Sequence, residues 1–121
     1  MTKKILNWVI VLIWMGVIFY FSSQPDLKSD LPSSWDLFFR KIAHIAEFAV
    51  LTYFLTKAFF AHGMSRTKLL IFSAFVAIAY AFFDEYHQTF TSGRMGSLKD
   101  VFIDSLGVLF IVVFYREKRG N

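Results

Sequence analysis

The sequence has no cysteine, only two prolines and six glycines, and just 18% charged residues. The missing cysteine excludes disulfides, thiolate metal sites and cysteine nucleophiles. No repeat, low-complexity tract or internal boundary breaks the chain, so residues 1–121 read as one domain. Apolar residues are abundant instead: 56% of the chain is hydrophobic and 20% aromatic, with sixteen Phe. Mean hydropathy is +0.51. A soluble domain of 121 residues has too little interior to hide that much apolar surface. The formal net charge of +4 invites a nucleic-acid reading. The basic residues, however, flank the apolar runs rather than forming one patch, so membrane orientation is the expectation and a nucleic-acid partner is not.

Four apolar segments stand out, at about 5–21, 42–61, 69–83 and 101–115. At about 1.5 Å per helical residue, the first two cross a hydrocarbon core of about 30 Å with little to spare. The last two are shorter and must recruit polar flanks to finish the crossing. Asp84, Glu85, Asp100 and Asp104 are thereby expected at or inside the membrane boundary. Lys3 and Lys4 before an apolar stretch resemble a secretory signal, but no small-x-small cleavage pattern follows Phe21. A retained first span is the expectation. Pro25 stops that helix. Ser33 or Ser34 suits the cap of the second helix, with Asp36 in its first turn. Trp35, Phe38 and Phe39 suit an interfacial anchor, and His62-Gly63 suits the end of the second span. The fold class expected is an all-α, four-span transmembrane bundle.

Counting basic residues orients it. With a cytoplasmic N-terminus, the inner side holds Lys3, Lys4, Lys57, Arg66, Lys68, Arg116, Lys118 and Arg119 against Glu117. The outer side holds Lys28, Arg40, Lys41, Arg94 and Lys99 with the other acids. Both termini are therefore expected in the cytoplasm. Lys57 reads as a side chain snorkelling near the inner face. Trp8 and Trp14 read as lipid-facing or packing residues, and His62 as a loop histidine.

On that orientation three polar clusters share the outer side. The first is Phe21-Ser22-Ser23-Gln24, in which helix capping is a simpler role than nucleophilic attack. The second is Lys41-x-x-His44-x-x-Glu47, whose spacing of three keeps the side chains on one helix face. Glu47 falls deep in its helix, where a bare carboxylate is costly. The third runs Asp84-Glu85-Tyr86-His87-Gln88, then Arg94, then Asp100-x-x-x-Asp104-x-x-Gly107. Asp84, His87 and Gln88 are expected on one face, and Asp100, Asp104 and Gly107 on another. Gly107 would let a neighbouring helix approach closely one turn from Asp104.

Taken in order from about Trp14 to Gly107, these clusters resemble the VanZ-like family, the group associated with teicoplanin resistance. Each element alone is weak; the ordered set across four apolar runs is specific. The resemblance implies a bacterial cell-membrane protein that lowers susceptibility to teicoplanin-type lipoglycopeptides.

The residues leave the chemistry of the cluster open in three directions. His44, Glu47, Asp84, His87, Asp100 and Asp104 form an N/O donor set suited to a divalent metal such as Mg, Mn or Zn. Among them His44, Glu47, Asp84 and His87 are also candidates for metal-free general acid–base catalysis. An enzyme of either kind would act on an outer-leaflet lipid or lipid-linked phosphate. Ser23, Gln24, Lys41, Glu85, Gln88 and Arg94 are candidate binding residues, with Lys41 and Arg94 suited to phosphate. The partners this admits are the bilayer, a lipid headgroup, a lipid-linked cell-wall precursor or the lipoglycopeptide itself. The third direction is a neutralised network, with Glu47 paired to Lys41, His44 or Arg94, that only locks the helices together.

Overall fold

A computed structural model describes residues 3–22, 33–88 and 98–119, with side chains described over 4–21, 38–87 and 100–116. These residues form four helices: α1 Lys3–Ser22, α2 Ser33–Phe60, α3 Arg66–Gln88 and α4 Leu98–Arg119. Each apolar segment read from the sequence lies within one helix, except that Ala61 already belongs to the turn after α2. The helices outrun the apolar segments at the polar end. α2 starts at Ser33, and α3 continues through Asp84, Glu85, Tyr86 and His87. Backbone hydrogen bonding gains as much from polar as from apolar side chains, so hydropathy does not mark where a helix stops.

α1, α2 and α3 each contain a stretch long and apolar enough to cross a membrane: Lys4–Phe21, Phe38–Phe60 and Arg66–His87. Among the described residues, α4 has no such stretch. Large apolar side chains point outward along all four helices, including Leu12, Ile13, Phe75, Phe102 and Phe110. In water this surface would drive aggregation. Against lipid tails it is matched. The interior is a narrow seam of Ile18, Phe48, Leu51, Leu55, Ala58, Ala77, Ala81, Val101 and Val108.

A short turn sets α3 antiparallel to α2. Gly63 has φ +76°, a conformation open to glycine, and its N–H donates to the Phe60 carbonyl to close α2. The Ser65 hydroxyl then accepts from the Lys68 N–H and caps α3. Antiparallel chain order brings the start of α2, the end of α3 and the start of α4 to one end of the bundle.

The tightest approach is between α2 and α4. A Cβ on Gly107 would collide with the Ile45 carbonyl oxygen and come within 2.8 Å of the Ala49 nitrogen. Both are backbone atoms. The close approach expected at Gly107 is therefore present, one turn from Asp104.

Three aromatic side chains tie α1 to its neighbours; Trp8 and Trp14 pack against the core, as expected of packing residues, and each also donates a hydrogen bond. Trp8 Nε1 donates to His62 Nε2 at 2.8 Å, so His62 fastens the α2–α3 turn to α1. Trp14 Nε1 donates to the Glu47 carbonyl at 2.9 Å, and the Tyr80 hydroxyl donates to the Met15 carbonyl at 2.6 Å. Among apolar spans, where a lipid solvent supplies no hydrophobic drive for helix association, such bonds give direction to the packing. Trp8→Phe keeps the edge contact to Phe59 and loses only the donor. It should lower stability by about 0.5–1 kcal/mol, read from the midpoint of SDS unfolding in mixed micelles.

Candidate functional site

α2 carries Lys41, His44 and Glu47 on successive turns of one face, as their spacing of three requires. The α4 residues Asp100 and Asp104, one turn apart, lie against that face. Lys41 Nζ stands 3.5 Å from Asp100 Oδ1, both partly open. Deeper in, His44 Nδ1 stands 3.1 Å from Asp104 Oδ1, and the Asp104 side chain has no exposed surface. α3 closes the third side with Asp84, 1% exposed. One donor atom from each of His44, Asp84 and Asp104 lies within 4.8 Å of the other two.

The arrangement is electrostatically loaded. The charges of Asp104, Glu47 and Asp84 all act on the His44 ring. The His44–Asp104 contact has the length of an ion pair but not the angles of a hydrogen bond. Among the described residues, His44 Nδ1 and both Asp104 oxygens have no hydrogen-bond partner. A carboxylate sealed from water without donors is costly.

Of the sequence candidates, His44, Asp84 and Asp104 converge. Asp100 belongs to the rim with Lys41. Glu47 is half-buried one turn further along α2. His87 is directed elsewhere: its ring stacks on Phe19 of α1 at a centroid distance of 4.2 Å, with Phe83 at 6.5 Å. A step of three leaves His87 about 60° around α3 from Asp84; here Asp84 is buried in the bundle, whereas His87 meets Phe19 of α1. Glu85 is buried on α3. Ser23, Gln24 and Arg94 lie outside the described residues, and so does the side chain of Gln88. Of the partners considered for Glu47, Lys41 pairs with Asp100, while the charge of Glu47 acts on the His44 ring. Trp14, which the sequence reading passed over as a site residue, supports this region by binding the Glu47 carbonyl. Its signal was an aromatic ring with one polar tip inside an apolar run.

The family model described as VanZ/LLP1 matches residues 7–119. The chain belongs to the VanZ/LLP1 family. A relative in this family's mould, the uncharacterized membrane protein YwnJ of Bacillus subtilis (strain 168), is 36% identical over 110 residues. That alignment covers 85% of this chain and 72% of YwnJ. No solved structure matches. The VanZ/LLP1 match spans all four helices and every element of the polar end, so the site lies inside the family's own segment.

Among the described residues, the buried polar side chains of this VanZ/LLP1 bundle other than the acids are Thr52, Thr56 and Ser73. Thr52 and Thr56 are buried, and each hydroxyl donates to a carbonyl of its own helix, Phe48 and Tyr53 respectively. Lys57 lies outside the bundle, 5.7 Å from the Tyr53 ring centroid.

Proposed function

We propose that this VanZ-family membrane protein engages a phosphate-bearing lipid or lipid-linked wall precursor at the outer leaflet. Through that contact it lowers susceptibility to teicoplanin-type lipoglycopeptides. The observation that supports the reading is the convergence of His44, Asp84 and Asp104 from three helices into one buried polar site, with Lys41 at its rim. Ionisable groups held this far inside a membrane bundle are costly, which makes them functional by default. The excess of Lys and Arg at the other end turns the site outward. Lys41 supplies a cation for phosphate beside the buried donors.

The lack of cysteine makes the orientation simple to test. Ser29→Cys, between α1 and α2, should react in intact cells with a membrane-impermeant maleimide. Met64→Cys, between α2 and α3, should react only after lysis. The reverse pattern would turn the site inward and remove this function. The activity itself is read from the teicoplanin inhibitory concentration. Expression in a cell-wall-forming host should raise it several-fold, and an unchanged value would refute the protective role.

A further inference from the structure

We infer that His44, Asp84 and Asp104 form a binding site for one divalent cation, of the Mn or Zn type. This deepens the reading above: the phosphate partner rests on that reading, whereas the ion rests on geometry alone.

Three observations carry it. The first is the spacing of the donors. Ions of this class hold nitrogen and oxygen at about 2.0–2.2 Å, so two ligands at right angles stand about 3 Å apart and two opposite ligands about 4.3 Å. His44 Nδ1 and Asp104 Oδ1 are 3.1 Å apart, and all three donor atoms lie within 4.8 Å. Closing the widest gap takes a few tenths of an ångström, within the reach of a side-chain torsion.

The second is the state of Asp104. Its carboxylate has no exposure, and neither oxygen accepts a hydrogen bond among the described residues. Buried carboxylates elsewhere are stabilised by N–H donors or by a cation. The neighbouring imidazole nitrogen lies 3.1 Å away without the angle to donate, and among the described residues it has no hydrogen-bond partner either. An ion between them resolves that arrangement.

The third is rigidity. The ligands come from three different helices, and the helices carrying His44 and Asp104 are locked by backbone contact at Gly107. A metal site needs its donors held in place before the ion arrives.

The donor types select the ion. One imidazole with two carboxylates is too hard for copper(I) and too nitrogen-rich for calcium, and suits Mn or Zn. Three protein ligands leave coordination positions for water or a phosphoryl oxygen, as in catalytic rather than structural sites. Bound there, the ion would draw a headgroup phosphate toward the rim where Lys41 stands.

The test uses full-length protein in detergent, stripped with EDTA and then dialysed against Mn(II). The expected result is one Mn per chain, with nitrogen modulation from the His44 imidazole in the pulsed EPR spectrum of the wild type. His44→Gln should abolish that modulation, and Asp104→Asn should weaken Mn binding at least tenfold. Ser105→Ala, whose hydroxyl donates to the Val101 carbonyl of its own helix, should leave both unchanged. Less than one-tenth Mn per chain overturns the proposal, as does bound Mn with no nitrogen signal in the wild type. The EPR reading needs no variant, so misfolding cannot mask the outcome. If Mn fails to bind while teicoplanin protection persists, the ion site falls and the function stands. If Mn binds with no protection, the function falls and the ion site stands.

Discussion

Gly107→Ala should cost about 3 kcal/mol or more of stability, at or beyond the top of the usual range for overpacking. A methyl group there meets the Ile45 carbonyl oxygen and the Ala49 nitrogen of α2. Flexible side chains yield to an added methyl by changing rotamer. Helix backbone yields only if the whole helix moves. α2 and α4 form the most extensive helix pair of the bundle, and the contact lies one turn from Asp104. Displacing α4 would therefore separate Asp104 from His44 as well as loosening the bundle. The check is the midpoint of SDS unfolding in mixed micelles, with Gly16→Ala as control. Nothing lies near the corresponding position of Gly16, and alanine is the better helix former, so the control should hold or gain stability. Equal midpoints for both variants would show that α2 and α4 are not in backbone contact.

The second large effect concerns Asp104, where bracing and function predict opposite signs. If Asp104 serves to pair with His44, removing its charge strands a buried partner, and about 3–5 kcal/mol is lost. If Asp104 is held for a ligand, its unbonded carboxylate weighs against the fold, and Asp104→Asn should keep or raise stability. The geometry supports the second outcome. Both oxygens lack hydrogen bonds among the described residues, although the His44 ring is 3.1 Å away. Unfolding midpoints of wild type and Asp104→Asn, measured in metal-free buffer, decide between them. Enzymes and binding sites commonly trade stability for such groups.

The parts of this molecule legible in its sequence were those set by local spacing. Four apolar runs became four helices, His62-Gly63 ended α2, and the helix spacing of Asp104 and Gly107 foretold a close approach beside a buried acid. The shortness of the third and fourth runs placed Asp84 and Asp104 at or just inside the membrane boundary, and both are buried in the bundle. What escaped were pairings across long separations. Nothing local says that Trp14 reaches the Glu47 carbonyl, that Tyr80 reaches that of Met15, or that Trp8 reaches His62. His87 is the instructive case. Its motif neighbour Asp84 enters the site, yet a fraction of a helical turn commits His87 to a stack on Phe19. A motif fixes which residues are near in sequence; helix rotation, set by the neighbouring helices, decides which of them meet.

The central claim is that the buried polar end is a working site rather than a brace. The most direct measurement is the teicoplanin inhibitory concentration for cells carrying wild type or Asp104→Asn at equal membrane abundance. The account predicts that the variant accumulates normally and protects no better than an empty vector. Protection equal to wild type at that abundance would contradict it.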